Sequence, residues 1–394
     1  MRPRPVVMMY CQHSLGIGHL VRSLAIAEAL AARMRVVFLS GGAFPAGLTR
    51  PPEVEFVDLP ALAMDADDKS LASPLGESLA DIQACRRRLV LDTFARVTPA
   101  ALLIELFPFG RKKFAFELLP LLRLARRRTP RPLVLCSVRD ILVDQRRDQA
   151  RHDRRAAWLV NRYFDAVLVH GERSFHRFEA TFRPTLPLRC PLLYTGFVAR
   201  PRCACADPTP TADILVSAGG GKVGAALLAA ALSAHAGRTA LHALSMNVIA
   251  GPFMAAREVA ALRAAAGERV RVYRALPNLD NQLAGTRLSL SQCGYNTMVD
   301  VLRADVPALF VPYAEANESE QTVRAARLEQ LGLATCLAQA ALGAERLGTA
   351  MEAALAAPRR RHALNLDGAA RTAAIVERAL SRRAGLQAGG PVRA

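Results

Sequence analysis

Residues 291–300 read SQCGYNTMVD, residues 306–312 read VPALFVP, and residues 318–325 read ESEQTVRA. The first stretch joins the end of an apolar run to a glycine and then to a polar segment of helical character that begins near Asn296. The second stretch is again apolar, and the third begins another helical segment. Strands that alternate with helices in this way predict βαβ units and a parallel sheet.

The same alternation extends along the whole chain. The predicted strands are residues 6–11, 36–40, 54–59, 101–104, 133–136, 166–170, 192–194, 213–217, 245–250, 270–273, 288–291 and 308–312. The predicted helices are residues 20–33, 112–128, 148–163, 223–236, 298–303, 320–331 and 369–383. We therefore expect an α/β protein of two Rossmann-like doubly wound domains that face each other across a cleft. In such folds ligands bind beyond the carboxyl ends of the strands.

A stretch rich in Pro, Arg and small residues separates the two series of strands and predicts an interdomain linker at residues 199–211. The N-terminal domain is then residues 1–198 and the C-terminal domain is residues 212–368. Residues 369–394 form a final helix and a tail, which we expect to be disordered from residue 384 onwards.

The composition favours a globular enzyme over a nucleic-acid-binding protein. The chain has 394 residues, 52% of them hydrophobic, and a formal net charge of +18. Only four residues are lysines, so arginine supplies nearly all of the positive charge, and no nucleic-acid-binding motif accompanies it. We expect no nucleic-acid partner.

The sequence has no clear pattern for a targeting signal, a membrane span or a zinc site. The first apolar run ends after six residues, which is too short for a signal peptide or a membrane span, so we expect a cytoplasmic protein. Eight cysteines are scattered without any CxxC pair, which predicts reduced thiols and no zinc site.

The first predicted strand–helix turn, residues 14–22, reads SLGIGHLVR. Gly16 and Gly18 allow a sharp turn and the close approach of a ligand. A dinucleotide-binding turn would need a third glycine where Arg22 stands, so NAD is disfavoured. At the start of the helix, the helix dipole keeps His19 neutral and able to accept a proton. The simpler alternative is a histidine that only caps the helix.

The turn that opens the second domain, residues 219–224, reads GGGKVG. It matches GxGxxG, but the acidic residue that NAD requires is missing, and Val223 stands where a Walker loop needs Ser or Thr. The backbone N–H groups of such a turn suit a phosphate, and Lys222 adds a positive charge. The alternative is a turn that needs glycine only for packing.

Polar side chains cluster after Gly294. Asn296 and Thr297 lie in the first helical turn, Asp300 follows one turn later, and the pair Glu320–Gln321 begins the helix after the next strand. A carboxylate at Asp300 suits two ribose hydroxyls, and the pair suits sugar hydroxyls. Each residue alone could be a helix cap, but together they predict a nucleotide-sugar site.

The motifs GIGHxxR, GGG and GYNT…D…PALFVP…EQ…RA resemble the MurG-type branch of the GT-B glycosyltransferases. The resemblance covers both domains and is most specific over residues 213–333. It implies sugar transfer with inversion from a nucleotide-diphosphate sugar, with a UDP-sugar as the expected donor, to an acceptor hydroxyl. It also implies an acceptor-side N-terminal domain and a donor-binding C-terminal domain. We expect no cofactor and no metal ion, because no carboxylate cluster stands at the end of a predicted strand and the two glycine turns with Lys222 can hold the diphosphate.

The same resemblance assigns roles to individual residues. His19 is the catalytic base, Asp300 binds the ribose, and Glu320 and Gln321 bind the donor sugar. The residues implied to hold the donor diphosphate are Gly18, Gly219, Gly220, Gly221, Lys222, Gly294, Asn296 and Thr297. Because Asp300 replaces the glutamate usual in MurG, the donor need not be UDP-N-acetylglucosamine.

The N-terminal domain departs from MurG. Residues 105–113, ELFPFGRKK, resemble a separate group of bacterial predicted glycosyltransferases, so the acceptor is open. Glu105 and Asp140 both follow predicted strands and are candidates for orienting His19 or for lining the acceptor side.

Two further segments have simple alternatives. Residues 65–68, DADD, match the DxD pattern of metal-dependent glycosyltransferases, but they lie in a polar loop and predict a solvated surface. Residues 111–128 place basic clusters around an apolar middle that Pro120 interrupts. This segment is either a peripheral contact with an anionic inner membrane surface or a helix packed on the core.

The donor motifs do not separate transferase from related functions. A nucleotide-sugar hydrolase would use the same turns with water as acceptor, and an epimerase of the same fold would need further acidic residues in the cleft. A non-catalytic nucleotide-sugar-binding protein would not need His19.

Overall fold

In the computed structural model, the chain is described at residues 4–13, 17–45, 48–64, 70–73, 76–144, 146–201, 209–221, 223–276, 279–314, 319–358 and 361–388. The chain divides into two compact units. The first unit comprises Met1–Leu142, Asp148–Val198 and Asn365–Ala394, and the second comprises Val143–Arg147 and Ala199–Leu364.

The first unit is built on a seven-stranded parallel sheet. Its strands are β1 (Val6–Cys11), β2 (Arg35–Ser40), β3 (Val54–Asp58), β6 (Ala101–Glu105), β7 (Leu133–Arg139), β8 (Ala166–His170) and β9 (Leu192–Tyr194), and a separate antiparallel pair is formed by β4 (Ala63–Met64) and β5 (Leu71–Ala72). The order across the sheet is β3-β2-β1-β6-β7-β8-β9. The intervening helices are α1 (Gly18–Ala31), α2 (Leu79–Val97), α3 (Ala115–Arg127) and α4 (Gln149–Tyr163).

Both faces of this sheet are covered. Met8 and Tyr10 of β1 point into one hydrophobic core, whereas Val7 and Met9 point into the other. Alternate residues of a strand face opposite sides, so a strand buried on both faces is apolar throughout, as the sequence pattern predicted.

The second unit repeats the plan with a six-stranded parallel sheet in the order β12-β11-β10-β13-β14-β15. The strands are β10 (Ile214–Ser217), β11 (Met246–Ile249), β12 (Val270–Tyr273), β13 (Leu288–Ser291), β14 (Ala308–Phe310) and β15 (Thr335–Cys336). The helices are α5 (Ala225–Gly237), α6 (Thr239–His242), α7 (Ala256–Ala264), α8 (Leu279–Ala284), α9 (Tyr295–Ala304), α10 (Glu320–Gln330) and α11 (Ala344–Ala356). Two parallel α/β sheets confirm the predicted fold class.

The last helix, α12 (Gly368–Ala388), belongs to the first unit. Its residues Ala373 and Val376 are buried in the core that also holds the inner face of α1. Arg33, two residues beyond the end of α1, forms an ion pair with Glu377 of α12. The helix extends to Ala388, so the prediction of disorder from residue 384 was wrong for the first five of those residues.

Helix α3 continues through Pro120 instead of being interrupted there. Proline in a helix loses one backbone hydrogen bond. Leu118, Leu121 and Leu122 are fully buried around it, and their burial offsets the loss. Within the described residues, no helix is both long enough and apolar enough to cross a membrane.

Candidate active site

A histidine and a glutamate meet at the carboxyl edge of the first sheet. His19 is the second residue of α1, and Glu105 is the last residue of β6, which neighbours β1 in the sheet. Nδ1 of His19 lies 2.6 Å from Oε1 of Glu105. Arg22, one helical turn after His19, donates from Nη2 to the same oxygen at 2.8 Å. The turn after β1 thus brings an imidazole to a buried, ion-paired carboxylate.

The charges in this group determine which nitrogen of His19 can act as a base. Burial, opposed by the charge of Glu105 and assisted by that of Arg111, lowers the pKa of His19 to about 4. Burial alone would raise the pKa of Glu105, but His19, Arg111 and Arg22 lower it to about 2. An ionised Glu105 accepts a hydrogen bond, so Nδ1 carries the proton and Nε2 keeps its lone pair.

The side chains of His19, Glu105 and Arg22 differ in their exposure to solvent. The side chains of Glu105 and Arg22 are each 2% exposed, whereas that of His19 is 17% exposed. His19 is therefore the part of the triad that solvent reaches, and the ion pair behind it is closed to water. A buried pair of this kind is worth about 3–5 kcal/mol against removal of one partner.

Of the two candidate partners of His19, the structure brings Glu105 to it. Asp140 is buried directly after β7, beside Gly171. Gly18 is the first residue of α1, immediately before His19. Arg22 received no role from the sequence, although the GIGHxxR spacing puts it on the same helix face as His19.

In the second unit, two glycine turns lie next to each other because β10 and β13 are paired, with Ser217 opposite Ser291. Gly219 and Gly221 have φ values of +57° and +84°, which few residues other than glycine adopt. A Cβ on Gly221 would lie 2.4 Å from the backbone oxygen of Ala250, so this turn also has no room for a side chain.

Thr297 lies between the two turns. A Cβ on Gly219 and a Cβ on Gly294 would each be 3.9 Å from its hydroxyl oxygen. Gly294 precedes the first residue of α9, so Asn296 and Thr297 occupy the first turn of that helix, as predicted. Free backbone N–H groups at a helix start favour an anion. The residues Gly219, Gly294 and Thr297 are thus close together, whereas Lys222 lies outside the described residues.

Asp300 has a partner that the sequence did not predict. Its side chain is 3% exposed, and Arg200 forms an ion pair with Oδ2 and donates from Nε to Oδ1 at 3.4 Å. Burial raises the pKa of Asp300, and Arg200 opposes the shift. Arg303 ties the same carboxylate to Asp280 of α8. Each carboxylate oxygen has a second lone pair, so acceptance of ribose hydroxyls by Asp300 requires access of the ribose to this buried carboxylate, with Arg200 still bound.

The start of α10 carries the other predicted sugar ligands. Glu320 is its first residue and is 6% exposed, and Oε1 of Gln321 accepts a hydrogen bond from the backbone N–H of Tyr313 at 3.1 Å. Arg324 is fully buried one turn later and donates from Nη1 to the oxygen of Cys293 at 2.8 Å. Arg324 therefore fixes α10 to the Gly294 turn, a role that the sequence did not reveal.

In the described part of the chain, no group of three His, Cys, Asp or Glu side chains is arranged to hold a metal ion. The DxD-like residues 65–68 lie outside that part.

The sequence is similar to those of known glycosyltransferases in its C-terminal half. Residues 215–377 match the model of the glycosyltransferase family 28 C-terminal domain. A UDP-N-acetylglucosamine–N-acetylmuramyl-(pentapeptide) pyrophosphoryl-undecaprenol N-acetylglucosamine transferase of Chelativorans sp. is 33% identical over 92 residues, which is 23% of this chain and 24% of the relative. The enzyme of the same name from Gloeobacter violaceus is 35% identical over 115 residues, 27% of this chain and 32% of the relative. The chain thus matches about a quarter to a third of the length of these curated relatives.

Solved structures extend the likeness to the whole chain. The calicheamicin glycosyltransferase CalG4 has a TM-score of 0.61 at 18% identity and covers 99% of this chain and 100% of its own. MurG of Acinetobacter baumannii has a TM-score of 0.56 at 16% identity, covering 96% and 99% respectively. At such identity these likenesses concern the fold. The likenesses thus show the GT-B fold for this chain, and the family model adds a similarity to the glycosyltransferase family 28 C-terminal domain over residues 215–377.

Proposed function

We propose that the protein transfers a sugar, with inversion and without a metal ion, from a nucleotide-diphosphate sugar to an acceptor hydroxyl. The observation that carries the proposal is the contact between His19 and Glu105, because it engages Nδ1 of a partly exposed, neutral imidazole and leaves Nε2 outside that contact. A nucleotide-sugar-binding protein without chemistry would have no need of a buried, ion-paired carboxylate behind that histidine.

In the proposed reaction, Nε2 of His19 takes the proton of the acceptor hydroxyl as its oxygen attacks the anomeric carbon. The bond from that carbon to the nucleotide diphosphate breaks on the opposite face of the sugar, which inverts the configuration. Glu105 stabilises the imidazolium that forms, and Arg22 keeps Glu105 in place. A positioned base of this kind contributes ~10²–10⁴ in rate.

The leaving diphosphate gathers negative charge as the bond breaks. We propose that the backbone N–H groups of the Gly219–Gly221 and Gly294 turns receive it, together with Asn296, Thr297 and Lys222. Preorganised donors of this kind contribute ~10²–10³ in rate each. Gly18, at the start of α1, is proposed to lie on the diphosphate side of His19.

For the donor we propose a UDP-sugar, bound through Asp300 at the ribose and through Glu320 and Gln321 at the sugar. The relatives with MurG-type names use UDP-N-acetylglucosamine according to those names, and a glycosyltransferase of the same fold, VinC, was solved with dTDP. These names support a nucleotide-diphosphate sugar, and the pyrimidine nucleotides are the first to test.

The decisive experiment is chromatography of the purified protein incubated with UDP- and dTDP-sugars, with and without a mixture of candidate acceptors. Sugar transfer predicts free nucleotide diphosphate and a glycosylated product that forms only with acceptor. Free sugar without acceptor would identify a hydrolase, an altered nucleotide sugar would identify an epimerase, and binding without turnover would contradict catalysis.

Metal independence has its own test. We expect transfer to continue in excess EDTA, because glycine turns and Lys222 are proposed to neutralise the diphosphate. Collapse of turnover in EDTA with recovery in Mg²⁺ or Mn²⁺ would contradict this and would return attention to residues 65–68. A calcium-free, EDTA-treated sample assayed before and after dialysis is the control for slow metal loss.

A further inference from the structure

Arg86 of α2 is a buried arginine that takes no part in the proposed reaction. Its side chain and that of Glu117 in α3 are each 0% exposed. Nε and Nη2 of Arg86 donate to the two carboxylate oxygens of Glu117 at 3.0 and 2.6 Å. Tyr10 of β1 donates its hydroxyl hydrogen to the same carboxylate. A planar, two-pronged ion pair of this kind fixes the orientation of both partners.

The other N–H groups of Arg86 reach the ends of three neighbouring strands. Nη2 donates to Oε1 of Gln12, the residue after β1, at 2.7 Å. Nη1 donates at 3.0 Å to the backbone oxygen of Gly41, after β2, and at 2.7 Å to that of Pro60, after β3. Since β1, β2 and β3 are adjacent in the sheet, one guanidinium group joins their carboxyl ends.

The ends of β1 and β2 also pack tightly on each other. A Cβ on Gly41 would lie 2.1 Å from Oε1 of Gln12, and a Cβ on Gly42 would lie 1.9 Å from the backbone oxygen of His13. Glycine at these two positions therefore allows the close approach. The chain continues from His13 to His19 at the start of α1, so the place of Gln12 determines where that segment begins.

Glu117 anchors the other segment of the site. The loop after Glu105 leads into α3, and Glu117 lies in the first turn of that helix. The ring of Phe114, directly before α3, lies under the guanidinium of Arg86, whose central carbon is 5.3 Å from the ring centroid. Arg86 thus contacts both the segment that leads to His19 and the segment that follows Glu105. Those two segments supply the partners of the 2.6 Å histidine–carboxylate contact.

We propose that Arg86 is a positioning residue that, by holding Gln12 and Glu117 at once, fixes the segments carrying His19 and Glu105 relative to each other. A buried ion pair by itself is weak evidence for a contribution to stability, because apolar residues of similar size often replace it without loss. Three of the five acceptors of Arg86 lie at strand ends on the edge of the site, which favours positioning. This inference rests on the proposed function only for the expected loss of turnover.

The test is a pH titration of His19 that uses neither donor nor acceptor. Full-length protein labelled with ¹³C at the histidine Cε1 positions is followed by NMR from about pH 3 to about pH 8. The His19 resonance is assigned by its loss in His19→Asn. In the wild type this resonance should titrate near pH 4, because burial lowers the pKa of His19 to about 4.

Two variants loosen the arrangement without changing any charge. Gln12→Met removes the acceptor at the end of β1, and Arg86→Lys keeps the positive charge but cannot reach all five acceptors. In both we expect the pKa of His19 to rise by at least about one unit toward its ordinary value of 6.5, since a displaced imidazole is less buried. Arg88→Met, at an exposed arginine of the same helix, is the matched control and should leave this pKa unchanged.

Turnover gives a second measurement. In Gln12→Met, kcat should fall at least about ten-fold, because a small displacement of the base is costly, while the Kd of UDP stays within about two-fold. The thermal midpoint of each variant is measured alongside.

A lower thermal midpoint with the pKa of His19 still at about 4 in both Gln12→Met and Arg86→Lys would overturn the proposal, because Arg86 would then only stabilise the fold. The outcome for sugar transfer is separate. A protein that turns over no donor but shows the shift in the pKa of His19 keeps the positioning residue and loses only the transferase reaction. One that transfers sugar without this shift in either variant keeps the reaction and loses the positioning role.

Discussion

The two units differ in the groups that they place at the carboxyl edges of their sheets. In the first unit, side chains do the work: His19, Glu105 and Arg22 form a chain of short contacts, and two of the three are closed to solvent. In the second unit, the turns at Gly219–Gly221 and Gly294 offer mainly backbone, with the hydroxyl of Thr297 between them. Proton transfer requires a side chain with a tuned pKa, whereas a diphosphate is well held by N–H groups. The difference supports a division into a chemical half and an anion-holding half.

The largest expected effect is the loss of catalysis in a variant that changes only the first unit. In His19→Ala, kcat should fall by ~10²–10⁴, because the only proposed base is lost, while the Kd of the nucleotide stays within a few-fold. Steady-state kinetics and calorimetry measure the two quantities separately. His242→Ala, at an exposed histidine of the second unit, is the matched control. Full activity of the purified His19 variant would remove the distinction between the halves.

The next largest effect concerns nucleotide binding in the second unit, where Arg200 holds the carboxylate of Asp300. If Asp300 binds the ribose, Asp300→Ala should raise the Kd of UDP ten-fold or more, since charge-assisted hydrogen bonds are worth about 1.5–3 kcal/mol. Arg200→Ala should raise that Kd by a smaller factor, because Asp300 keeps its oxygens but loses the positive charge that opposes its protonation. Isothermal titration calorimetry compares the two variants with wild type.

A structural role for the Asp300–Arg200 pair makes a different prediction. Both variants would then lower the thermal midpoint and weaken UDP binding by similar factors. An unchanged UDP affinity with an altered preference among donor sugars would instead assign Asp300 to the sugar pocket.

A smaller effect concerns the pH dependence of the histidine cluster. The pKa of His19 is lowered to about 4, so kcat/KM should be flat near neutral pH and fall as the pH drops toward about 4 and the base is protonated. Arg111→Gln removes a positive charge that disfavours the imidazolium, so the acid limb should move up by about one pH unit. Glu105→Gln removes a negative charge and should move it down.

The measurement is kcat/KM from about pH 3 to about pH 8 for wild type and both variants, with stability checked at each pH, because the Glu105→Gln limb is expected below about 4. Shifts in the same direction for both substitutions would contradict an electrostatic origin. A limb that does not move in either variant would mean that a group other than His19 titrates.

The fold followed from the sequence because the strands are buried on both faces. Strands such as β1 and β8 read as uninterrupted apolar runs, and their predicted bounds match the structure. Helix α2 was not singled out, since its exposed basic face, including Arg87 and Arg88, obscures an apolar stripe that holds Val90 and Phe94. Short edge strands such as β15 have only two residues, which is too few to show an alternation of apolar and polar residues in the sequence.

The candidate site was predictable where a local motif carries it and not where packing does. His19, Gly294 and Thr297 sit in turns whose glycines and polar residues are visible in the sequence. Arg200 is different, since it falls in a stretch whose composition predicts a linker, and its contact with Asp300 spans a hundred positions. No local pattern encodes such a contact.

The smallest expected effect concerns binding of the first unit to the surface of an anionic membrane. The structure reduces the number of side chains in the segment 111–128 that are available for contact with a membrane. Of its large apolar side chains, Phe114, Leu118, Leu121 and Leu122 are buried in the core, Phe116 and Leu119 pack against it, and Leu124 alone is exposed. Arg111 is turned toward Glu105. Insertion of this segment into lipid therefore has no support, and what remains is attraction by exposed charge.

The remaining exposed basic residues of the segment are Lys112, Lys113, Arg123, Arg126 and Arg127. Each cation near an anionic leaflet contributes ~1 kcal/mol, and salt screens the attraction within a Debye length. We therefore expect weak sedimentation with phosphatidylserine-containing vesicles at low salt, lost at about 0.5 M NaCl. The double variant Lys112→Gln/Lys113→Gln should pellet several-fold less than wild type and keep its activity on a soluble acceptor, because Arg111 and its contact with Glu105 are untouched. Neutral vesicles are the control. If wild type and variant pellet alike, or if neither pellets, the basic end of α3 is only a solvated surface, and the charge that matters in this unit is the part buried beside His19.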